Sequence, residues 1–290
     1  MIILLRWISR RLTSGRQPDP ALSERTHPAR GAGNGASLVL HQARFELVAF
    51  LRNSQARFFT VLLPLLFLVI FATVFGNEQV GPTGVRAATY FVPGIAAMGV
   101  ISASFVNLVI SIVAERESGT LKRRRATPVP AWVLIAGRVL TAMAVSLAVM
   151  TALLLVGKIA YDVDLPKAAL PAVFIVGLTG AGSFAILGYA VAGLIGSADA
   201  AQPMVQAITL PLYFISGVFI PNLSLPSWLQ TVGQLFPVEH LASALHTALD
   251  PAASGLPIAW GDLGVLALWA AVGLIIALRR FSWVPAMARG

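Results

Sequence analysis

Residues Glu115 to Pro130 read Glu-Arg-Glu-Ser-Gly-Thr-Leu-Lys-Arg-Arg-Arg-Ala-Thr-Pro-Val-Pro, a polar island between two apolar runs each long enough to cross a bilayer. Seven charges fall between Glu115 and Arg125. A charged side chain costs roughly 2.5–3.5 kcal/mol at the centre of a membrane helix, so this island cannot lie in hydrocarbon. It belongs in water at the end of a span. Five of the seven charges are basic, which predicts the cytoplasmic side.

Composition supports the same class. Of the 290 residues 57% are hydrophobic and only 11% charged, against about 25% charged in soluble domains. An all-α integral membrane protein is therefore expected. There is no cysteine, so disulfides, thiol nucleophiles and thiolate metal sites are excluded. Four histidines (His27, His41, His240 and His246) leave no metal centre to expect. The net charge of +9 does not indicate nucleic acid, because the basic residues gather at one membrane face without interleaved aromatics.

Residues 1–37 read as a disordered basic cytoplasmic tail, with Arg6, Arg10, Arg11, Arg16, Arg25 and Arg30 among Pro, Ser and Gly. Met1–Leu5 is too short for the core of a secretory signal. Gly31-Ala-Gly33-Asn-Gly35 has neither a preceding strand nor a following Gly-Lys-Ser/Thr, so it reads as linker. The region 38–290 reads as one six-span domain. Leu38–Asn53 suits an interfacial helix along the inner leaflet. Spans are predicted over 58–75, 90–113, 132–161, 169–195, 204–220 and 263–278. Arg138 lies inside the third and is expected to snorkel towards the cytoplasm. Segment 221–262 contains no Lys or Arg and is broken by Pro226 and Pro237. It predicts two short helices forming an external re-entrant hairpin that includes Pro237 and is anchored by Trp228, with Glu239 and His240 near the outer membrane surface.

Six spans put both termini on one side. With that pairing 17 Lys and Arg residues fall on one face and three (Arg86, Lys158, Lys167) on the other, which predicts cytoplasmic termini. Two polar stripes occur within spans. Ser104, Asn107 and Ser111 share one face of the second span, and Gln206, Thr209, Tyr213 and Ser216 share one face of the fifth. Such groups face a bundle interior or a cavity rather than lipid. Helix–helix hydrogen bonding is the competing role. The absence of charge in both stripes favours an apolar or amphipathic substrate, such as a drug or lipid.

Several motifs in order resemble the permease subunits of type-2 ATP-binding-cassette exporters, the drug-resistance group. They are Tyr90-Phe-Val-Pro93-Gly94; Glu115-Arg-Glu117-Ser-Gly119-Thr120-Leu121-Lys-Arg with Ala126-Thr127-Pro128; Ser216-Gly217-Val-Phe-Ile-Pro221; Leu225-Pro226-Ser-Trp228-Leu229-Gln230; Phe236-Pro237; and Arg279-Arg280-Phe281-Ser-Trp283. The likeness runs from about Leu38 to Pro285. It implies that the segment after the second span carries a short coupling helix docking on a separate ATPase, with Glu115, Arg116 and Glu117 continuing the membrane helix into water, Gly119 permitting the turn, and Thr120 and Leu121 completing the ATPase-coupling residues. It also implies that the second and fifth spans line a cavity in a pair of permeases. The implied partners are two ATPase subunits, a second copy or sister permease, and membrane lipids. No Gly-x4-Gly-Lys-Ser/Thr loop occurs in the chain, so ATP and Mg would be bound by the partner and no cofactor by this chain. The bacterial plasma membrane is the expected location.

Two other classes compete less well. Gly180-Ala-Gly182-Ser183 superficially suggests a rhomboid-type serine protease, but the expected sixth span contains no histidine to act as base. An ion-coupled carrier would need a carboxylate well inside a span; Glu115, Asp199 and Asp262 all sit at or beyond the edges. No catalytic residue is assigned.

Overall fold

The computed structural model describes residues 35–75, 78–80, 85–126, 129–165, 169–220, 225–250, 252–253 and 255–280. The expected tail up to Asn34, Thr127-Pro128, Pro221 and Phe281–Trp283 lie outside the described residues. The architecture is helical. Helix α1 spans Gly35–Arg52, starting earlier than the expected Leu38. Asn53 ends it and caps α2, Ser54–Phe75, by accepting a 3.0 Å bond from the Ala56 amide. A two-strand ribbon follows, β1 Gln79–Val80 against β2 Val85–Arg86, antiparallel with Gln79 opposite Arg86.

Helix α3, Ala87–Glu117, runs 31 residues and continues through the first charges of the polar island. Its middle contains a widened turn over Ser102–Val106. Then come α4 Thr120–Arg125, α5 Ala131–Tyr161, α6 Leu170–Ala192, α7 Ala198–Ile215, α8 Ser227–Gly233, α9 Pro237–Ala248 and α10 Trp260–Arg280. Helix α3 is the hub. Within its most apolar stretch 83% of residues are buried, against 22% for α2 and 17% for α10, whose exposed faces suit lipid. It packs on α2, α5, α6, α7 and α9, while α5 also packs on α1 and α6 on α10.

Among the described residues five helices (α2, α3, α5, α6 and α10) are long and apolar enough to cross a membrane. The fifth expected span, 204–220, corresponds to α7, which is displaced towards the N-terminus. Ser197 caps it, accepting a 3.4 Å bond from the Ala200 amide, and Asp199 favours the positive end of the helix dipole. It stops at Ile215 because Gly217 turns into the left-handed region at φ 72°. Asp199, Gln202, Gln206, Pro203 and Pro211 make this helix less apolar than its neighbours.

The expected hairpin is present as α8 and α9. Trp228 on α8 is 65% exposed, as an interfacial anchor would be. Pro237 opens α9 at the first turn, where its missing N–H costs nothing. One face of α9 (Val238, Leu241, Leu245 and Ala248) is buried against α3, α6 and α10. Glu239 is buried within the protein, 8% exposed.

Candidate functional site

The polar island starts as the last turn of α3. Successive residues on a helix point about 100° apart, so three consecutive side chains reach three different directions. Glu115, Arg116 and Glu117 use all three. The Arg138 guanidinium on α5 donates to both Glu115 oxygens at 2.7 Å. Arg116 donates to the backbone carbonyls of Ala192, at 2.9 Å, and Ile195. These are carbonyls at the C-terminal end of α6, where a cation compensates both unsatisfied acceptors and helix dipole. The Glu117 carboxylate accepts from the Ala198 amide at the N-terminus of α7, the complementary end. The last turn of α3 therefore clamps α5, α6 and α7 at once. Arg116 is 3% exposed, so this turn does not simply run on into water as expected; its charges are satisfied by neighbouring helix ends.

The Glu115 branch reaches further. Arg138 also donates to Glu46 of α1 at 3.2 and 3.3 Å, and Arg124 of α4 pairs with Glu46 and lies 3.7 Å from Glu115. Gln42 adds a 2.8 Å bond to Glu46. Burial pushes the Glu46 carboxyl up, but the Arg138 and Arg124 guanidinia outweigh it, so Glu46 ends below the usual carboxylate range. Arg138 does not snorkel: its side chain is 8% exposed and locked between two carboxylates. Close approach of α1 to α5 requires Gly137, where a Cβ would meet Gln42 Cβ at 2.8 Å. Thr141 reinforces the contact, donating at 2.9 Å to the Ala43 carbonyl.

Beyond the clamp the chain turns at Gly119, whose φ is 71° and around which a Cβ would meet nothing within 4 Å. The residue is there for its backbone, not for space. Ser118 and Thr120 hydroxyls are 3.0 Å apart across the turn. Leu121 is 4% exposed and packs on Leu134 of α5, with Val129, Ala131 and Ile135 around it. That fixes α4 so that Lys122 and Arg123 face outwards.

The two polar stripes face different neighbours. Asn107 and Ser111 line a cavity of about 140 Å³ with Asn53, Glu115, Arg138 and Thr141, between α1, α2, α3 and α5. Ser104 is fully buried and donates at 2.6 Å to the Val100 carbonyl. On α7, Thr209 donates to the Val205 carbonyl at 2.9 Å and to Gln206 at 3.3 Å. Tyr213 is 2% exposed, with its hydroxyl towards Ser102 in the widened turn of α3. The Ser216 hydroxyl is buried without a hydrogen-bond partner among the described residues. No α7 residue lines the α3 cavity. Ser183, 5% exposed, sits in small-residue packing on α6.

At the other end of the bundle His240 Nδ1 lies 2.7 Å from Asp262 of α10 and 3.6 Å from Glu239, while Nε2 lies 3.0 Å from the Gln234 carbonyl. Burial alone would lower this imidazole, but Asp262, the carbonyl and Glu239 together hold it above its ordinary value. His246 is the opposite case. Burial pushes it down to about 4 despite a bond to the Gly217 backbone.

Neither Glu46 nor the pairing of Arg138 is among the residues expected from sequence. An arginine inside a span and a lone acid in an interfacial helix each need a partner, and that need could have matched them.

The family profile described as ABC-2 type transporter matches residues 39–249. The chain belongs to the ABC-2 type transporter family. It is 27% identical over 179 residues to the probable multidrug ABC transporter permease YbhR of Escherichia coli K12, covering 60% of this chain and 47% of that protein. The chain thus spans about half the length of that relative. It is 23% identical over 207 residues to the putative transport permease YvfS of Bacillus subtilis, covering 71% of this chain and 83% of that one. This ABC-2 family chain is a multi-pass membrane protein.

Proposed function

We propose that this permease is the membrane half of an ATP-driven exporter, moving an apolar or amphipathic substrate such as a drug or lipid out of a bacterial cell. Two ATPase subunits bind ATP and Mg and serve a pair of permeases, either two copies of this chain or this chain with a sister. Both termini and α4 lie in the cytoplasm of the plasma membrane. The observation that carries the reading is the three-way clamp. Residues Glu115–Arg124 combine an outward-facing short helix with stiff ties to α5, α6 and α7 through Glu115, Arg116 and Glu117 and to α1 through Arg124. A push on α4 is thereby delivered to four helices. The uncharged stripes on α3 and α7 supply the substrate pathway, with Asn107, Ser111 and Tyr213 as its discriminating groups. A multidrug relative supports the substrate class.

The test replaces Glu115 and Glu117 by Ala and measures substrate efflux and ATP hydrolysis in proteoliposomes holding permease and ATPase. Charged-group hydrogen bonds contribute roughly 1.5–3 kcal/mol each, so transport per ATP should fall about tenfold or more while the permease still inserts. Undiminished coupling in that variant would refute the assignment.

A further inference from the structure

Beside the contact line of α1 and α5 lies an open groove of about 610 Å³. Its walls are largely apolar, Leu40 and Leu47 from α1 and Leu140 and Ala144 from α5, and Ser37, His41 and Arg44 add polar groups along the α1 side. The leucines are unpaired with protein: Leu40 is 66% exposed and Leu140 41%. Exposed leucines on an interfacial helix and on a span meet acyl chains, not water.

Charge decides which lipid. Arg44 is exposed and makes no ion pair among the described residues. The one acid on α1, Glu46, points the other way and is already held by Arg138 and Arg124. Among the described residues no carboxylate lines the groove. A guanidinium matches a phosphate with paired donors, the Ser37 hydroxyl is a further donor, and the apolar walls suit the attached chain. Arg52 on the same helix and Arg57 just beyond it add a general attraction for an anionic surface.

We propose that this groove holds one anionic glycerophospholipid, its phosphate on Arg44 and Ser37 and an acyl chain along Leu40, Leu47, Leu140 and Ala144. The lipid acts as a wedge that holds α1 against α5 and so seats Glu46 on Arg138. The assignment rests on α1 lying in the membrane interface, but not on any transport cycle.

Native mass spectrometry of the full-length permease in detergent, titrated with phosphatidylglycerol or phosphatidylcholine of identical chains, tests it without ATPase or nucleotide. One phosphatidylglycerol should bind at least about fivefold tighter than phosphatidylcholine, the scale of one basic residue near a lipid surface. Arg44→Ala should remove that preference, Arg44→Lys should keep most of it, and Leu140→Trp should weaken both lipids by filling the groove. Equal retention of the two lipids, or an Arg44→Ala protein with the wild-type preference, would overturn the proposal. Because Arg44 is exposed, its variants stay folded even if Leu140→Trp does not. The Glu115 and Glu117 coupling assay can fail while lipid selectivity stands, and the reverse also holds.

Discussion

Removing Arg138 is the sharpest perturbation of the ionic junction. In Arg138→Met the stem is replaced at similar volume, but Glu46 and Glu115 lose the guanidinium that meets four of their oxygens between 2.7 and 3.3 Å. Both carboxylates stay largely buried, with side chains 10% and 22% exposed. Breaking a buried ion pair from one side costs about 3–5 kcal/mol, mostly through the stranded charge. Arg124 remains beside both acids, although its side chain is 32% exposed, so its help is screened and the lower end applies. A loss of about 3 kcal/mol corresponds to roughly 6–9 °C in melting temperature for a chain of this size class. The assay is thermal unfolding of purified protein in detergent, followed by size-exclusion fluorescence. The stranded charges, rather than lost packing, are the cause, so adding Glu115→Gln to Arg138→Met should recover about half the loss, and Glu46→Gln most of the rest. A double variant whose loss is the sum of its single losses, or an Arg138→Met protein melting within about 1 °C of wild type, would show that the junction is not a coupled buried network.

Other outcomes follow from the same geometry. The His240–Asp262 contact should be pH-sensitive. The imidazole is held above 6.5, so its stabilisation is complete below that value and is lost as pH rises through the native one. Wild type should melt at higher temperature at pH 6 than at pH 9, and His240→Gln should flatten that difference. Glu46 behaves oppositely: its carboxyl is held below 4.5, so the junction keeps its strength down to about that pH and weakens only as pH falls through the lower native value, visible as acid-induced loss of melting temperature that Glu46→Gln lacks. Gly119→Ala meets no atom but must adopt φ 71°, costing about 1–2 kcal/mol, and should slow coupling more than it lowers expression. Ala at Asn107 or Tyr213 should change the order of substrates in an efflux panel with little effect on ATPase binding; an unchanged order would leave the stripes a packing role.

The membrane class, five of the six span positions to within a few residues, the short helical hairpin before α10 and the short helix after α3 were legible because hydropathy and charge act locally. Bilayer thickness and the cost of buried charge constrain each segment by itself. The displaced α7 was harder: its boundaries are set by the Ser197 cap and the positive φ of Gly217, while its apolar residues alone suggested a later start. The clamp was visible only as a dense cluster of charges. Which acid meets which base depends on where α1, α5 and α6 end relative to α3, separations of 76 to 92 residues along the chain for Arg116–Ala192 and Glu46–Arg138, and no local pattern encodes them.

The geometry of the clamp also constrains how movement can pass through it. A single flexible contact between α4 and the spans would let α4 shift while the bundle stayed put. Here α4 is held twice, by Leu121 in an apolar socket on α5 and by Arg124 on the Glu46–Glu115 pair. Helix α3 is held on three sides at its last turn. Displacing α4 without α5 would strand Leu121 in water and separate buried charges, each costing a few kcal/mol. Moving α3, α5 and α1 together preserves these contacts and shifts instead the apolar packing of α3 and α5 on α2, α6, α7 and α9. The motion that keeps the buried charges paired is therefore a rigid-body tilt of the α1–α3–α5 unit, with strain appearing where Arg116 and Glu117 meet the ends of α6 and α7. Cross-linking α4 to α5 should accordingly leave transport intact, whereas a cross-link between the Glu117 turn and the start of α7 should arrest it. The opposite pattern would mean that α4 moves independently of the helices it touches.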